Sequence, residues 1–284
     1  MSKPSPSGPP TGTTLVMAPR IFRPPATIDD GALQSAVKAS ADSLGKNTEG
    51  RIGFAAKPLA TTQKFNPLYW KPLDVDNGVW EVGTANKIPD VALFDIVDNP
   101  KAYTMECASA IKVVLNLALL RTLGTERFRR AVADAGGLRI GPGVYEAVLQ
   151  KAMKRETSSS LPADKFPGMA SADFQSTIMP GDAVYMINLA PTPFGVQAGW
   201  RGENALALGG GNFFGHGVPN SPYPVTADTI KNHMMTPGLW DRTPEYATAI
   251  GPDRAEPKVK NGPPWWVDEY FHLDASVVKT LGLP

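Results

Sequence analysis

Cysteine and histidine are scarce in this sequence of 284 residues, which has one cysteine, Cys107, and three histidines. A single cysteine excludes an intramolecular disulfide, so the fold does not depend on an oxidising compartment. The sequence also lacks a His/Cys cluster with the spacing of zinc ligands. The segment Asp74–Gly78 resembles a calcium loop, but Ala85 stands where such a loop needs its closing Glu. We therefore expect no metal and no cofactor.

The sequence lacks an excess of charge of one sign. It also lacks an apolar run long enough to span a membrane. The chain has 28 basic and 27 acidic residues, so no charge argument favours binding to nucleic acid or to an anionic membrane. The longest apolar run, residues 113–123, is interrupted by Asn116 and Arg121. Residues 1–25 contain no apolar segment of the kind found in secretory signals. These absences predict a cytoplasmic protein whose partners are neither nucleic acids nor membranes.

The composition divides the chain into a tail and one large domain. Residues 1–26 are rich in Pro, Ser, Gly and Thr, which predicts a disordered tail. Residues 27–284 are numerous enough to form a single domain with its own core. Within this domain, the Pro-rich stretch from about residue 240 predicts a C-terminal extension. The segment Arg155–Phe174, which contains three consecutive serines, predicts a long surface loop.

Hydrophobic periodicity predicts helices in the first half of the chain and strands in the second. The segment Cys107–Leu123 is apolar on nearly all sides, which indicates a buried helix that ends at Gly124. Asp76–Gly78 predicts the turn of a hairpin between Leu68–Trp70 and Val79–Val82. The other predicted elements are a helix capped by Thr27 or Asp29 that ends near Gly45, a helix or strand over Val91–Val97, a helix over Val144–Lys154, strands over Ala183–Leu189, Asn204–Leu208 and Asn212–Gly217 with a turn at Gly209–Gly211, a helix after Thr226, and a short helix near Ser276–Leu281. This order is typical of an α+β fold whose strands pack on the central helix.

Cys107 lies where the buried helix is expected to begin. A helix N-terminus offers unpaired backbone N–H groups and a positive partial charge, and both lower the pKa of a thiol. A lone cysteine is more often an inert, buried side chain. Cysteine hydrolases of papain-like architecture, however, place their nucleophile at a helix start and its partners on the strands that follow. The position of Cys107 therefore favours a nucleophile.

A nucleophile needs a base, and three side chains are candidates. His216 lies between two glycines on a predicted strand and is the natural base on pattern alone, although strand histidines also serve as structural hydrogen-bonding groups. Glu203 precedes a predicted strand, and its alternative role is a surface ion pair with Arg201. Glu106 precedes Cys107, where a carboxylate also suits the helix N-terminus electrostatically. The residue pattern by itself leaves the choice among these three open.

Two sequence blocks resemble a known family. Glu106–Ala110, with the apolar helix that follows it, resembles the nucleophile segment of the bacterial, sporulation-associated protein-glutamine gamma-glutamyltransferases. Trp200–Asn204, followed by Phe214–Gly217, resembles the second block of the same family. The similarity extends from about residue 60 to about residue 235. It implies a compact papain-like α+β fold in which a buried nucleophile helix packs on a mainly antiparallel sheet.

The resemblance also implies the chemistry of the site. Cys107 would be the nucleophile, Glu203 its main acid/base partner, and Glu106 a second or substitute partner, so that a Cys–Glu pair replaces a Cys–His–Asp triad. The implied reaction is a calcium-independent acyl transfer that cross-links glutamine and lysine side chains of protein substrates through a thioester on Cys107. The implied location is cytoplasmic or spore-associated. His216 matches the family pattern, but the resemblance does not settle its role.

Two alternatives remain at this point. The first is a cysteine hydrolase on the same fold, a protein glutamine deamidase or a peptidase, in which water replaces the amine. The second is a catalytically inactive structural coat protein, against which the presence of both Cys107 and Glu203 argues. The Pro-rich start, the Arg155–Phe174 loop and the C-terminal extension depart from the family pattern, so the protein substrate stays open.

Overall fold

The computed structural model describes residues 20–46, 52–55, 62–82, 88–142, 147–157, 178–188, 202–218, 223–234 and 265–284. The helices in these ranges are α1 (Asp30–Gly45), α2 (Pro89–Asp98), α3 (Cys107–Leu123), α4 (Thr125–Asp134), α5 (Ala147–Ala152), α6 (Ala227–Met234) and α7 (Ala275–Val278). The strands are β1 (Gly53–Phe54), β2 (Trp70–Asp74), β3 (Val79–Val82), β4 (Thr104–Met105), β5 (Arg139–Ile140), β6 (Met153–Thr157), β7 (Ala183–Asn188), β8 (Gly202–Gly209), β9 (Asn212–Gly215), β10 (Val225–Thr226) and β11 (Trp265–Leu273). None of the helices in the described ranges has the length and apolar character that a membrane span requires.

The largest sheet has six strands in the order β10-β9-β8-β7-β11-β6, and every neighbouring pair is antiparallel. Strand β8 lies inside this sheet, between β7 and β9. A tight turn at Gly209–Gly211 joins β8 to β9, and its three glycines have φ angles of 89°, 61° and 75°. Glycine adopts such angles without steric cost, which explains the predicted turn at this position. Two small sheets, β2-β3-β5 and β1-β4, complete the described strands.

Helix α3 lies in the core between α1 and the six-stranded sheet. All of its residues except Cys107, Ala108 and Arg121 are buried. It contacts α1 along one side and β8 along another, where Leu206 and Leu208 join its apolar residues in one cluster. A helix surrounded on all sides must be apolar all round, which is the pattern in its sequence. The predicted boundaries of this helix and the α+β class, with the buried helix on an antiparallel sheet, are confirmed.

Several local predictions in the first half of the chain are confirmed. Asp29 caps α1, because its side chain accepts the N–H of Ala32 at 2.8 Å. Strands β2 and β3 form the expected antiparallel hairpin, although its first strand is Trp70–Asp74 rather than the predicted Leu68–Trp70. The segment that fitted either a helix or a strand is helix α2, which begins with Pro89 and buries Leu93 and Ile96. Proline suits a first helical turn, where its missing N–H costs no hydrogen bond.

The packed part of the chain begins before the predicted end of the tail at residue 26. Phe22 stacks on Phe94 with ring centroids 5.1 Å apart, and its backbone N–H donates to the hydroxyl of Thr125 at 2.9 Å. The guanidinium of Arg20 binds the carboxylate of Asp98 at 2.9 Å. These contacts fasten residues 20–25 to α2 and α4, so this part of the predicted tail belongs to the fold. Residues 1–19 lie outside the described ranges.

The C-terminal end of the chain is also part of the fold. Strand β11 pairs with β7 on one side and with β6 on the other. The prediction of a Pro-rich extension from about residue 240 is therefore wrong for residues 265–284, while residues 235–264 lie outside the described ranges. The predicted helix over Val144–Lys154 ends at Ala152, because Met153–Thr157 forms strand β6 beside β11. The first three residues of the predicted loop Arg155–Phe174 belong to β6, and its remainder, from residue 158, lies outside the described ranges.

Candidate active site

Cys107 is the first residue of α3, and its side chain is partly exposed. The preceding residue, Glu106, is the N-cap of this helix. Its carboxylate accepts the backbone N–H groups of Ala108, at 2.8 Å, and of Ser109. The carboxylate thus folds back over the start of the helix and brings Glu106 Oε2 to 3.7 Å from the sulfur of Cys107. Because of this cap, the carboxylate lies beside the thiol although the two residues are adjacent in sequence.

Glu203 is on strand β8, where it pairs with Met186 of β7. The residue is only 1% exposed, and its Oε1 atom has no hydrogen-bond partner among the described residues. Burial raises the pKa of Glu203, and the negative charge of Glu106 raises it further. Glu203 is therefore a carboxyl group that keeps its proton to a higher pH than a carboxyl in water, with one oxygen left for a transient partner.

The pKa of the Cys107 thiol is also raised. Burial is the main cause, and the negative charges of Glu203 and Glu106 add to it, while a hydrogen bond from Asn204 acts in the opposite direction. The sequence predicted a lowered thiol pKa from the helix N-terminus. That prediction is wrong, because burial and the charges of two carboxyl groups outweigh the helix N-terminus, and one of these carboxyl groups binds two N–H groups of the helix start.

Asn204 is the residue at the site that the sequence interpretation missed. Its side-chain Nδ2 donates a hydrogen bond to the sulfur of Cys107 at 3.2 Å. The period of two along a strand could have identified it, since Asn204, Leu206 and Leu208 alternate with Ala205 and Ala207. The two leucines pack in the cluster around α3, and the two alanines belong to a second cluster. Asn204 is thus on the sheet face that meets α3, and Glu203, the preceding residue, acts on the thiol through its charge.

His216 follows strand β9 and contacts the chain just before the nucleophile. Its Nε2 is 3.0 Å from the carbonyl oxygen of Met105 and 3.3 Å from that of Gly53. Both partners are acceptors, so Nε2 carries the proton and donates it. Burial lowers the pKa of His216, which keeps the ring neutral. The described contacts of His216 do not include Cys107. His216, which the residue pattern favoured as the base, instead links β1 and β4 to the large sheet.

The structure places Glu106 and Asn204 in contact with Cys107, and Glu203 lies near enough to act on the thiol through its charge. The catalytic roles of these residues stay predictions. Trp200 and Arg201 of the second sequence block lie outside the described ranges. The described residues include no group of three or more His, Cys, Asp or Glu side chains that could hold a metal ion. The arrangement contains a thiol, a buried carboxyl of raised pKa, a second carboxyl and a neutral donor on the sulfur. These groups are equipped for nucleophilic acyl transfer with proton exchange.

Comparison with known proteins identifies the family of this chain. The sequence profile of the protein-glutamine gamma-glutamyltransferase family matches residues 37–234. A protein-glutamine gamma-glutamyltransferase of Bacillus cereus strain B4264 is 31% identical over 153 residues, which are 54% of this chain and 46% of that protein. The corresponding enzyme of Bacillus anthracis is 33% identical over 153 residues, with the same coverage. The chain thus matches about half the length of these curated relatives.

A solved structure shows the same fold. It is a transglutaminase from Geobacillus stearothermophilus without its C-terminal extension, and it matches with a TM-score of 0.60 at 21% sequence identity. The match covers 90% of this chain and 96% of that one. The papain-like α+β fold expected from the sequence is therefore confirmed. The profile covers well over half of the sequence and includes both Cys107 and Glu203. This chain belongs to the protein-glutamine gamma-glutamyltransferase family.

Proposed function

We propose that this chain is a protein-glutamine gamma-glutamyltransferase that forms isopeptide cross-links through a thioester on Cys107, with Glu203 as its acid and base. The observation that carries the proposal is that the buried carboxyl of Glu203 lies close enough to the Cys107 thiol to act on it through its charge, while the nearby histidine is bound to backbone carbonyls. The family acts on protein substrates, and the partners proposed here are proteins that supply glutamine and lysine side chains.

The first step forms the acyl-enzyme. The Cys107 thiolate attacks the carbonyl carbon of a glutamine side chain, and a C–S bond forms. Protonated Glu203 gives its proton to the amide nitrogen as the C–N bond breaks, so ammonia leaves. The products are the thioester on Cys107 and the carboxylate of Glu203. The unpartnered Oε1 of Glu203 supports its role in this step, since it has no described partner to release first.

The second step transfers the acyl group to an amine. A neutral lysine amine attacks the thioester carbon, and the carboxylate of Glu203 accepts the proton that the amine loses. The C–S bond breaks, and the thiolate of Cys107 and the protonated Glu203 are restored. Over the cycle, one proton thus moves from Glu203 to the leaving ammonia and another returns to Glu203 from the lysine amine. Neither step requires a metal or a redox partner.

The reactive form of the site carries one proton on the pair of acids. Cys107 and Glu203 each raise the other's affinity for protons when ionised, so their two protons leave in separate steps. At a pH below the loss of the first proton, the thiol is protonated and attacks poorly. At a pH above the loss of the second proton, Glu203 has no proton to give to the leaving nitrogen. We therefore expect the rate to pass through a maximum as pH rises.

The oxyanion of the tetrahedral intermediate needs a hydrogen-bond donor. The two backbone N–H groups that follow Cys107 on α3 do not supply it. Those of Ala108 and Ser109 are bound by the carboxylate of Glu106. These two N–H groups are therefore already engaged and do not bind the oxyanion. Glu106 is accordingly proposed as a group that holds the helix start and substitutes for Glu203 only in part.

Intact-mass analysis with a glutamine peptide, with and without a primary amine, tests the proposal. We expect a covalent peptide adduct on the protein and an amine-substituted peptide, and neither with Cys107→Ala. Conversion of glutamine to glutamate even with amine in excess would instead identify a hydrolase. A protein that shows no adduct and no product would be an inactive structural member of the family.

A further inference from the structure

Asn204 makes a contact with the reacting sulfur that the proposed acid/base cycle does not use. The donor Nδ2 is 3.2 Å from Sγ of Cys107, within the range of a hydrogen bond to sulfur. The sulfur therefore accepts this bond while its own proton lies toward Glu106, with Oε2 at 3.7 Å. A sulfur that already accepts a hydrogen bond is prepared to carry negative charge.

Apart from the backbone N–H of Asn204 itself, which also lowers the pKa of the thiol, the other groups around the sulfur do not provide this stabilisation. Glu106, at the start of α3, and Glu203, on β8, oppose a negative charge on the sulfur. His216, after β9, is neutral and donates to the carbonyls of Met105 and Gly53. Among the side chains of the described ranges, Asn204 is the one that donates a hydrogen bond to the sulfur.

The position of Asn204 in the sheet keeps this donor in place. Asn204 pairs with Tyr185 of β7, and the next residue, Ala205, pairs with Gly215 of β9. The asparagine thus lies on an inner strand, where pairing on both sides restricts its backbone. A carboxamide also does not ionise in the accessible pH range, so it donates equally at every stage of the cycle.

We propose that Asn204 is a further catalytic residue of this enzyme, whose Nδ2–H stabilises the thiolate of Cys107 when it forms and again when it leaves the thioester. The role in turnover rests on the proposed transferase function. The effect on the sulfur does not, because it follows from the contact alone. In this site, the neutral amide of Asn204 takes the place of the charged imidazolium that accompanies the thiolate in a Cys–His pair.

Alkylation with iodoacetamide as a function of pH tests the proposal directly, because the chain has one cysteine and every adduct reports Cys107. The variants are Asn204→Ala, which removes the side-chain donor and keeps the backbone N–H, and Asn204→Asp, which replaces the amide with a carboxyl of the same shape. Hydrogen bonds to charged groups support an expected loss of about tenfold to a hundredfold in alkylation rate at a fixed, mildly alkaline pH for Asn204→Ala. The alkylation profile should move to higher pH, and further for Asn204→Asp than for Asn204→Ala.

Asn212→Ala is the matched control. Asn212 lies on β9 of the same sheet, and its Nδ2 donates to the turn carbonyls of Gly209 and Gly210 at 3.4 Å. Its alkylation profile should equal that of the unaltered protein, and melting temperatures of all variants identify any that are unfolded. Profiles of Asn204→Ala and Asn204→Asp that superimpose on that of the unaltered protein would overturn the proposal, as would an equal displacement in Asn212→Ala.

Amine incorporation, measured in parallel, separates this proposal from the proposed function. A displaced alkylation profile in Asn204→Ala together with a matching loss of amine incorporation supports both. A displaced profile with no amine incorporation by the unaltered protein leaves the stabilising contact supported and overturns the transferase function. Full amine incorporation by Asn204→Ala with a displaced profile would overturn the catalytic role.

Discussion

If the proposed function holds, replacement of Glu203 by glutamine should move two rates of this protein in opposite directions. Glu203→Gln keeps the shape of a side chain that is 1% exposed and removes both its charge and its exchangeable proton. The acyl-transfer rate should fall by about 10²–10⁴-fold, which is the usual contribution of a positioned acid/base group. The intrinsic reactivity of the thiol should rise, because a negative charge beside the sulfur is lost.

The size of the second effect follows from electrostatics. Two unit charges roughly 8 Å apart at an effective dielectric constant of roughly 20 repel each other by about 2 kcal/mol, and a closer pair by more. Since about 1.4 kcal/mol is a factor of ten, alkylation of Cys107 should become at least about tenfold faster. The gain requires Glu203 to be ionised in the unaltered protein. It should therefore be absent at low pH, where Glu203 is already neutral, and grow as pH rises.

Both rates are measured on the same preparations, amine incorporation into a glutamine peptide and alkylation by iodoacetamide. Glu126→Gln is the control, because Glu126 is an exposed carboxylate on α4 whose partner is Arg129 at 3.6 Å. It should leave both rates unchanged. Retention of amine incorporation within about threefold in Glu203→Gln would refute the assignment of the acid and base. An alkylation rate that does not rise at any pH would refute the electrostatic coupling of Glu203 to Cys107.

Four further outcomes are expected. His216→Gln should reduce amine incorporation less than Glu203→Gln, since the ring holds backbone carbonyls rather than the thiol; equality with Cys107→Ala would identify a Cys–His pair instead. Cys107→Ser should be nearly inactive with an unchanged melting temperature, as a hydroxyl is far less acidic than a thiol; turnover near that of the unaltered protein would contradict thiolate attack. Phe22→Ala removes a half-buried ring stacked on Phe94, so the free energy of unfolding should fall by about 2 kcal/mol and the melting temperature by about 4–8 °C. Activity at low temperature should not change. An unchanged melting temperature would show that the stack does not contribute to stability. Activity should survive excess chelator, and a loss that calcium restores would overturn the prediction of calcium independence.

Local patterns were sufficient where a residue's immediate neighbours decide its conformation. The buried helix was predicted with its observed ends, Cys107 and Leu123, because an all-round apolar segment followed by glycine specifies both burial and termination. The turn at Gly209–Gly211 followed from the positive φ angles that glycine adopts. The juxtaposition of Cys107 and Glu203, by contrast, was expected only from the family resemblance, since no local pattern joins residues so far apart in sequence.

Only the tertiary structure decided what depends on partners distant in sequence. Strand β11 was not predicted, because its neighbours in the sheet, β6 and β7, are supplied by much earlier parts of the chain. The raised pKa of the Cys107 thiol depends on burial and on a carboxyl from β8, which together outweigh the local effect of the helix N-terminus. The tasks of Asn204 and His216 were likewise settled by packing, which brings the amide to the sulfur and the imidazole to two backbone carbonyls. The sequence by itself determined the helix that presents the nucleophile, and the assembled sheet determined the charges and hydrogen bonds around it.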